Sequence, residues 1–248
     1  MFFHLKPILL SLLALAGYEL MIYRFEWRFW ILGILLVIII AGTRIATNAW
    51  HNSLLPILFF VGSAMLLFFV SGGIFLQVYI LISVLIYYLI ILGVYRLNAN
   101  SKDETAQKIN FITSFTVVFI WSASLFAIYL NRNIDFWVIS LLLYAIVVIA
   151  THQLLKTANF EKGKADRYWL YSFTIAYCLA IMSWGVLFLP FGYLTLSVLL
   201  LGVYFVLVNY LARSIKGTFS KVAFTIDLII FLISAGVVLF STRWGMIE

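Results

Sequence analysis

Apolar residues run along this chain in stretches of about twenty, separated by short polar or charged segments, and they do not alternate with polar residues inside a stretch. A membrane-crossing helix needs about 20 mostly apolar residues. The strands of a membrane barrel would alternate instead. Inside lipid every backbone donor and acceptor must be satisfied within the chain, which leaves helices for runs of this kind. The pattern therefore predicts an all-α fold, a polytopic transmembrane helical bundle of about nine spans. They fall approximately at 6–23, 27–46, 54–71, 74–95, 110–130, 136–155, 168–189, 192–212 and 222–241. Ser71-Gly72-Gly73, Asn131-Arg132-Asn133 and Pro190-Phe191-Gly192 are turn-forming connections. Tight turns of this type make consecutive helices antiparallel neighbours. The expected arrangement is sequential hairpins, four pairs and a last single helix, in one integral membrane domain over 1–248.

The runs also echo one another. Ser83-Val84-Leu85-Ile86-Tyr87 is matched by Ser140-Leu141-Leu142-Leu143-Tyr144 and by Ser197-Val198-Leu199-Leu200-Leu201, with the serines 57 residues apart each time. After the following loop come Ser114-Phe115-Thr116-Val117, Ser172-Phe173-Thr174-Ile175 and Ala223-Phe224-Thr225-Ile226. Each unit reads as apolar run, basic loop, apolar run, the form of a stacked helical hairpin. Short matches between apolar segments also arise from composition alone, so shared ancestry and chance both remain open.

Composition agrees with a lipid environment. The 248 residues are 65% hydrophobic and 10% charged, with a mean hydropathy of +1.13, against roughly 25% charged in a soluble domain. So few polar side chains cannot cover a water-facing surface. The net charge of +7 comes from basic residues scattered through short loops. No basic patch with interleaved aromatics appears, which argues against nucleic acid as a partner. Cys178 is alone, excluding an internal disulfide and a thiolate cluster; a buried packing role is expected of it.

Charge then sets the expected orientation. Lys6, Arg44, Arg96, Lys102, Lys108, Lys156, Lys162, Lys164, Arg167, Arg213, Lys216 and Lys221 fall on one side of the predicted spans. Arg24, Arg28, Arg132 and Arg243 fall on the other. The positive-inside bias places the N-terminus in the cytoplasm and the C-terminus outside, as an odd number of spans requires. Trp27, Trp30, Trp137 and Trp244 then lie at the outer interface and Trp50 and Trp169 at the inner one. Trp121 and Trp184 lie deeper, where packing is expected of them. The first run also fits a secretory signal, with Lys6 as basic region and Ala14-Leu15-Ala16 as cleavage site. Its apolar character continues to Tyr23, however, which is span length and favours retention.

Chemistry is sparse. An ionisable side chain within a span is costly and suggests function, and Asp227 is the main candidate. It lies about 9 Å along the last span from Lys221, shallow enough to reach the interface, with Lys221, Lys216 or Arg213 as partners. Thr116, Thr174 and Thr225, with Ser114 and Ser172, repeat at equivalent heights. They line a conduit in one reading; in the plainer one they bond back to their own helices or let neighbours approach. Glu19 sits near the outer end of the first span, within reach of Arg24 and Arg28. His4, His51 and His152 share the cytoplasmic side without the close helical spacing of a metal motif. No metal site and no cofactor is expected. Asp103-Glu104 reads as a solvated loop face. Signatures of hydrolases, zinc proteases and phosphate-binding loops are absent. Pro7 and Pro56 stand at predicted helix starts and Pro190 at a helix end. None breaks a span as transporter helices often are broken.

These observations lead to a non-enzymatic multi-pass scaffold or subunit of a prokaryotic inner membrane, in contact with the lipid bilayer and with a membrane-protein partner or further copies of itself. One alternative is a small-molecule or lipid transporter that uses Asp227 with Thr116, Thr174 and Thr225. Another is an enzyme acting on lipid at the cytoplasmic face.

Overall fold

The computed structural model describes residues 5–47, 50–100, 103–132, 134–157, 167–215 and 217–242, apart from the side chains at 25, 46, 47 and 50–52. Among these residues it is all-helical. The elements are α1 Leu5–Tyr23, α2 Arg28–Thr47, α3 Trp50–Leu67, α4 Gly73–Ala99, α5 Glu104–Arg132, α6 Phe136–Thr157, α7 Arg167–Leu187, α8 Tyr193–Ile215 and α9 Lys221–Ser241, with a single 3-10 turn at Phe25–Trp27. Each expected span has its helix. Eight of them are long and apolar enough to cross a membrane; α3 is apolar over the shorter stretch Ser53–Leu67.

Helix α3 departs from its expected span in two ways. The expected span 54–71 ends as a helix at Leu67, because the chain tightens there. Phe68 N–H donates to the Met65 carbonyl, Phe69 to Leu66 and Val70 to Leu67, three residues back instead of four. Gly72 then turns the chain with φ 101°, a conformation that disfavours any side chain. Pro56 does not start the helix but lies inside it. It therefore removes one backbone donor from the interior of α3.

The helices form two compact units, Met1–Val117 and Val118–Glu248, with the boundary inside α5. In the first, α1 packs on α2 and α4, and α3 on α2 and α4. Its core joins Ala14 and Tyr18 of α1, Ile39 of α2, Phe59 and Phe60 of α3, and Tyr87 and Ile91 of α4, all buried. Tyr18 stacks on Phe60 and shares a hydrogen bond with Ser63, whose carbonyl accepts from the Tyr79 hydroxyl at 2.8 Å. Two glycines let neighbouring helices approach closely. A Cβ on Gly17 would strike Leu35, and one on Gly42 would strike Leu10.

In the second unit α6 packs extensively on α7, α7 on α8, and α8 on α9. Every residue from Ile120 to Ala127 of α5 is buried. The opposite extreme is α9, which buries Asp227 alone and exposes Ile229, Ile233, Val237 and Phe240. An apolar face of this size is a surface for lipid or for a neighbouring helix, not for water.

Candidate functional site

The end of α8 builds the site around Asp227. Gly217 takes φ 68°, and Thr218 N–H donates back to the Arg213 carbonyl at 3.0 Å. This six-residue closure is a Schellman stop. It ends α8 two residues beyond Arg213 and turns the chain into α9. Asp227 lies about 9 Å along α9 from Lys221, on the one buried position of that helix. Arg213 Nη1 approaches Asp227 Oδ2 to 2.7 Å, and Nη2 donates to Oδ1 at 3.3 Å. Among the described residues, Arg213 is therefore the expected partner that Asp227 uses. The carboxylate is 6% exposed and the guanidinium side chain 33%. The charge is thus met in two places and remains open to the surface through the arginine alone. Tyr210 flanks the pair's helices, set edge-on to Phe219 and Phe224.

Within the second unit, Thr225 and Thr174 do not join this acid. Thr225 is two residues from Asp227, about 200° around the helix, and is exposed; its hydroxyl donates to its own Lys221 carbonyl at 3.0 Å. Thr174 is exposed and bonds the Leu170 carbonyl; Thr116, in the first unit, is half-buried and bonds that of Ile112. Buried Ser114 and Ser172 likewise bond the carbonyls of Asn110 and Tyr168. Each follows the plainer pattern, in which a hydroxyl within a helix returns to the carbonyl four residues back.

Other sequence candidates find different roles. His152 stacks on Trp169 with ring centroids 3.8 Å apart. His4 and the side chain of His51 lie outside the described residues, as do Trp244, Lys216 and the side chain of Trp50. Arg24 lies over the Tyr23 ring, and Arg28 over Phe29 and Phe68. Cys178 is half-buried, less enclosed than expected. Asp103 is more than a solvated loop residue. Its Oδ1 accepts from the N–H groups of Thr105 and Ala106, and its Oδ2 from Arg96 Nε at 2.9 Å. It caps α5 and ties it to the end of α4. These bonds hold its carboxyl below the usual range. The Ala106 N–H contributes most, with Arg96 and the Thr105 N–H adding to it against an opposing desolvation.

The two deep tryptophans part company. Trp121 is buried, as expected, but Trp184 is exposed and stacks on Phe136. Trp184 and Phe136 close one end of a groove of about 630 Å³ between α6 and α7. This groove was not evident from the sequence. The signal was present in Tyr177, Ala180, Ile181 and Trp184, spaced as one helical face, but which face would stay uncovered depends on tertiary packing.

The fold and these sites define a multi-pass helical membrane protein by length and composition. No protein-family model, curated protein or solved structure matches the chain.

Proposed function

We propose that this chain is a non-enzymatic integral membrane scaffold or assembly subunit of a prokaryotic inner membrane, with its N-terminus cytoplasmic and its C-terminus outside. The observation that carries this reading is the Arg213–Asp227 pair. A proton- or ion-handling acid needs a coordination position open to its cargo, whereas both oxygens of Asp227 face one guanidinium. The pair fixes α9 against α8 and leaves the long apolar face of α9 for lipid or a neighbouring chain. The threonine hydroxyls, satisfied within their helices, support the same view.

The test is the size of the native particle. Extracted in mild detergent from its own membrane, the full chain should migrate with stoichiometric companions or as a defined oligomer. Migration as an isolated monomer would contradict the subunit reading. Uptake of a solute that is abolished in Asp227→Asn while protein abundance stays unchanged would favour the transporter instead.

A further inference from the structure

The groove between α6 and α7 has a feature that lipid contact alone does not explain. One wall is Phe136, Trp137, Ser140, Leu141 and Tyr144; the other is Tyr177, Ala180, Ile181 and Trp184. Ser140 and Ala180 are small, so the helices leave space between them, while the ring pairs Phe136–Trp184 and Tyr144–Phe173 hold the ends. The slot runs about 12 Å along the helices, taking 1.5 Å for each of the eight steps from Phe136 to Tyr144. Its volume lies within the roughly 300–1,000 Å³ of small-ligand sites.

The polar atoms around it are unengaged. Hydroxyls elsewhere in the second unit bond back to their own helix, as Ser172, Ser183 and Ser197 do. Among the described residues the Ser140, Tyr144 and Tyr177 hydroxyls make no such bond, and neither do the indole N–H groups of Trp137 and Trp184. Tyr144 is the ninth residue of a 22-residue helix and Tyr177 the eleventh of a 21-residue one. The two phenols therefore stand near mid-span whichever way the chain is oriented. Water is absent at that depth, and a hydroxyl left without a partner in hydrocarbon is strongly disfavoured. A phospholipid tail offers no acceptor there, because its ester oxygens lie at the interface. The occupant has to bring an acceptor into the middle of the bilayer, and the aromatic walls favour a flat one.

We propose that this groove binds a planar, carbonyl-bearing lipid of the quinone class, admitted sideways from the bilayer. The ring lies between the aromatic walls, with its carbonyl oxygens accepting from Tyr144, Tyr177 and Ser140. The inference goes beyond the scaffold reading and does not depend on it.

The experiment uses the full chain in phosphatidylcholine nanodiscs titrated with decylubiquinone, read by quenching of tryptophan fluorescence. A saturable component should appear above the linear quenching caused by partitioning into lipid. Ala180→Phe, which fills the floor of the slot, should remove that component. The double variant Tyr144→Phe/Tyr177→Phe keeps the rings and should bind roughly tenfold more weakly, the loss expected from two ordinary hydrogen bonds. Decylbenzene, of similar shape without carbonyls, should not compete. Purely linear quenching, equal saturation in both variants, or equal competition by decylbenzene would overturn the proposal. So would a tight dimer in which a second copy shields Trp184.

Discussion

At the scale of single residues, the clearest result is that the acid singled out by its cost in lipid is already neutralised. Removing one member of a buried ion pair strands the other, which makes breaking the pair worse than replacing it whole. Asp227→Ala should lower the stability of the full chain by about 1.5–3 kcal/mol, the range for hydrogen bonds to charged groups, and not by more, since Arg213 keeps some access to the surface. The double variant Arg213→Ala/Asp227→Ala should lose less than the two single losses combined. Thermal unfolding in nanodiscs measures both; additive losses would show that the two side chains act separately. Asp103 makes a prediction in pH. Its folded-state pKa is depressed, so the stabilisation it gives is present above the unfolded value of about 3.9 and is lost as pH falls through the lower folded value. Amide-exchange protection at Thr105 and Ala106 should therefore be flat from pH 5 to 8, once corrected for intrinsic exchange, and collapse only in stronger acid. Asp103→Asn should lower it throughout the neutral range.

At the scale of helices, close approach is set by particular glycines. A Cβ at Gly202 would meet the ring of Phe231, which cannot fold aside as an aliphatic tip can, whereas one at Gly236 would meet nothing. Gly202→Ala should therefore destabilise the α8–α9 pairing by about 1–3 kcal/mol, the usual cost of overpacking, and Gly236→Ala should be nearly neutral. Comparing their melting temperatures tests this, and equal effects would refute it. The existence of each helix was legible in sequence because twenty apolar residues in a row leave the backbone no other means of pairing. The end of α3 was not legible. Phe68, Phe69 and Val70 are as apolar as the helix they follow, and only the switch to shorter hydrogen bonds before Gly72 ends it. Nor was the position of Pro56, since the polar stretch Trp50-His51-Asn52-Ser53 gave no apolar signal for the helical turns that precede it. In the candidate site, Arg213 was legible as a partner from its nearness in sequence. The separation of Thr225 from Asp227 follows from helical geometry, but the burial of one face and not the other depends on how α9 lies on α8.

At the scale of the whole molecule, the account rests on hydrocarbon surrounding the exposed faces of these helices. The long side chains of α9 and the apolar walls of the α6–α7 groove are compatible with that solvent and not with water. Nine crossings would also impose a parity that no single helix reveals, because the ends of an odd-numbered bundle must face opposite compartments. The short apolar stretch of α3 is the weakest member of that count, and were it to stay on one side both ends would share a face. The most direct measurement fuses a reporter active only in the cytoplasm and one active only outside, in turn, to each end of the full chain. The account predicts a cytoplasmic signal at the N-terminus and an external signal at the C-terminus; finding both ends in the same compartment would contradict it.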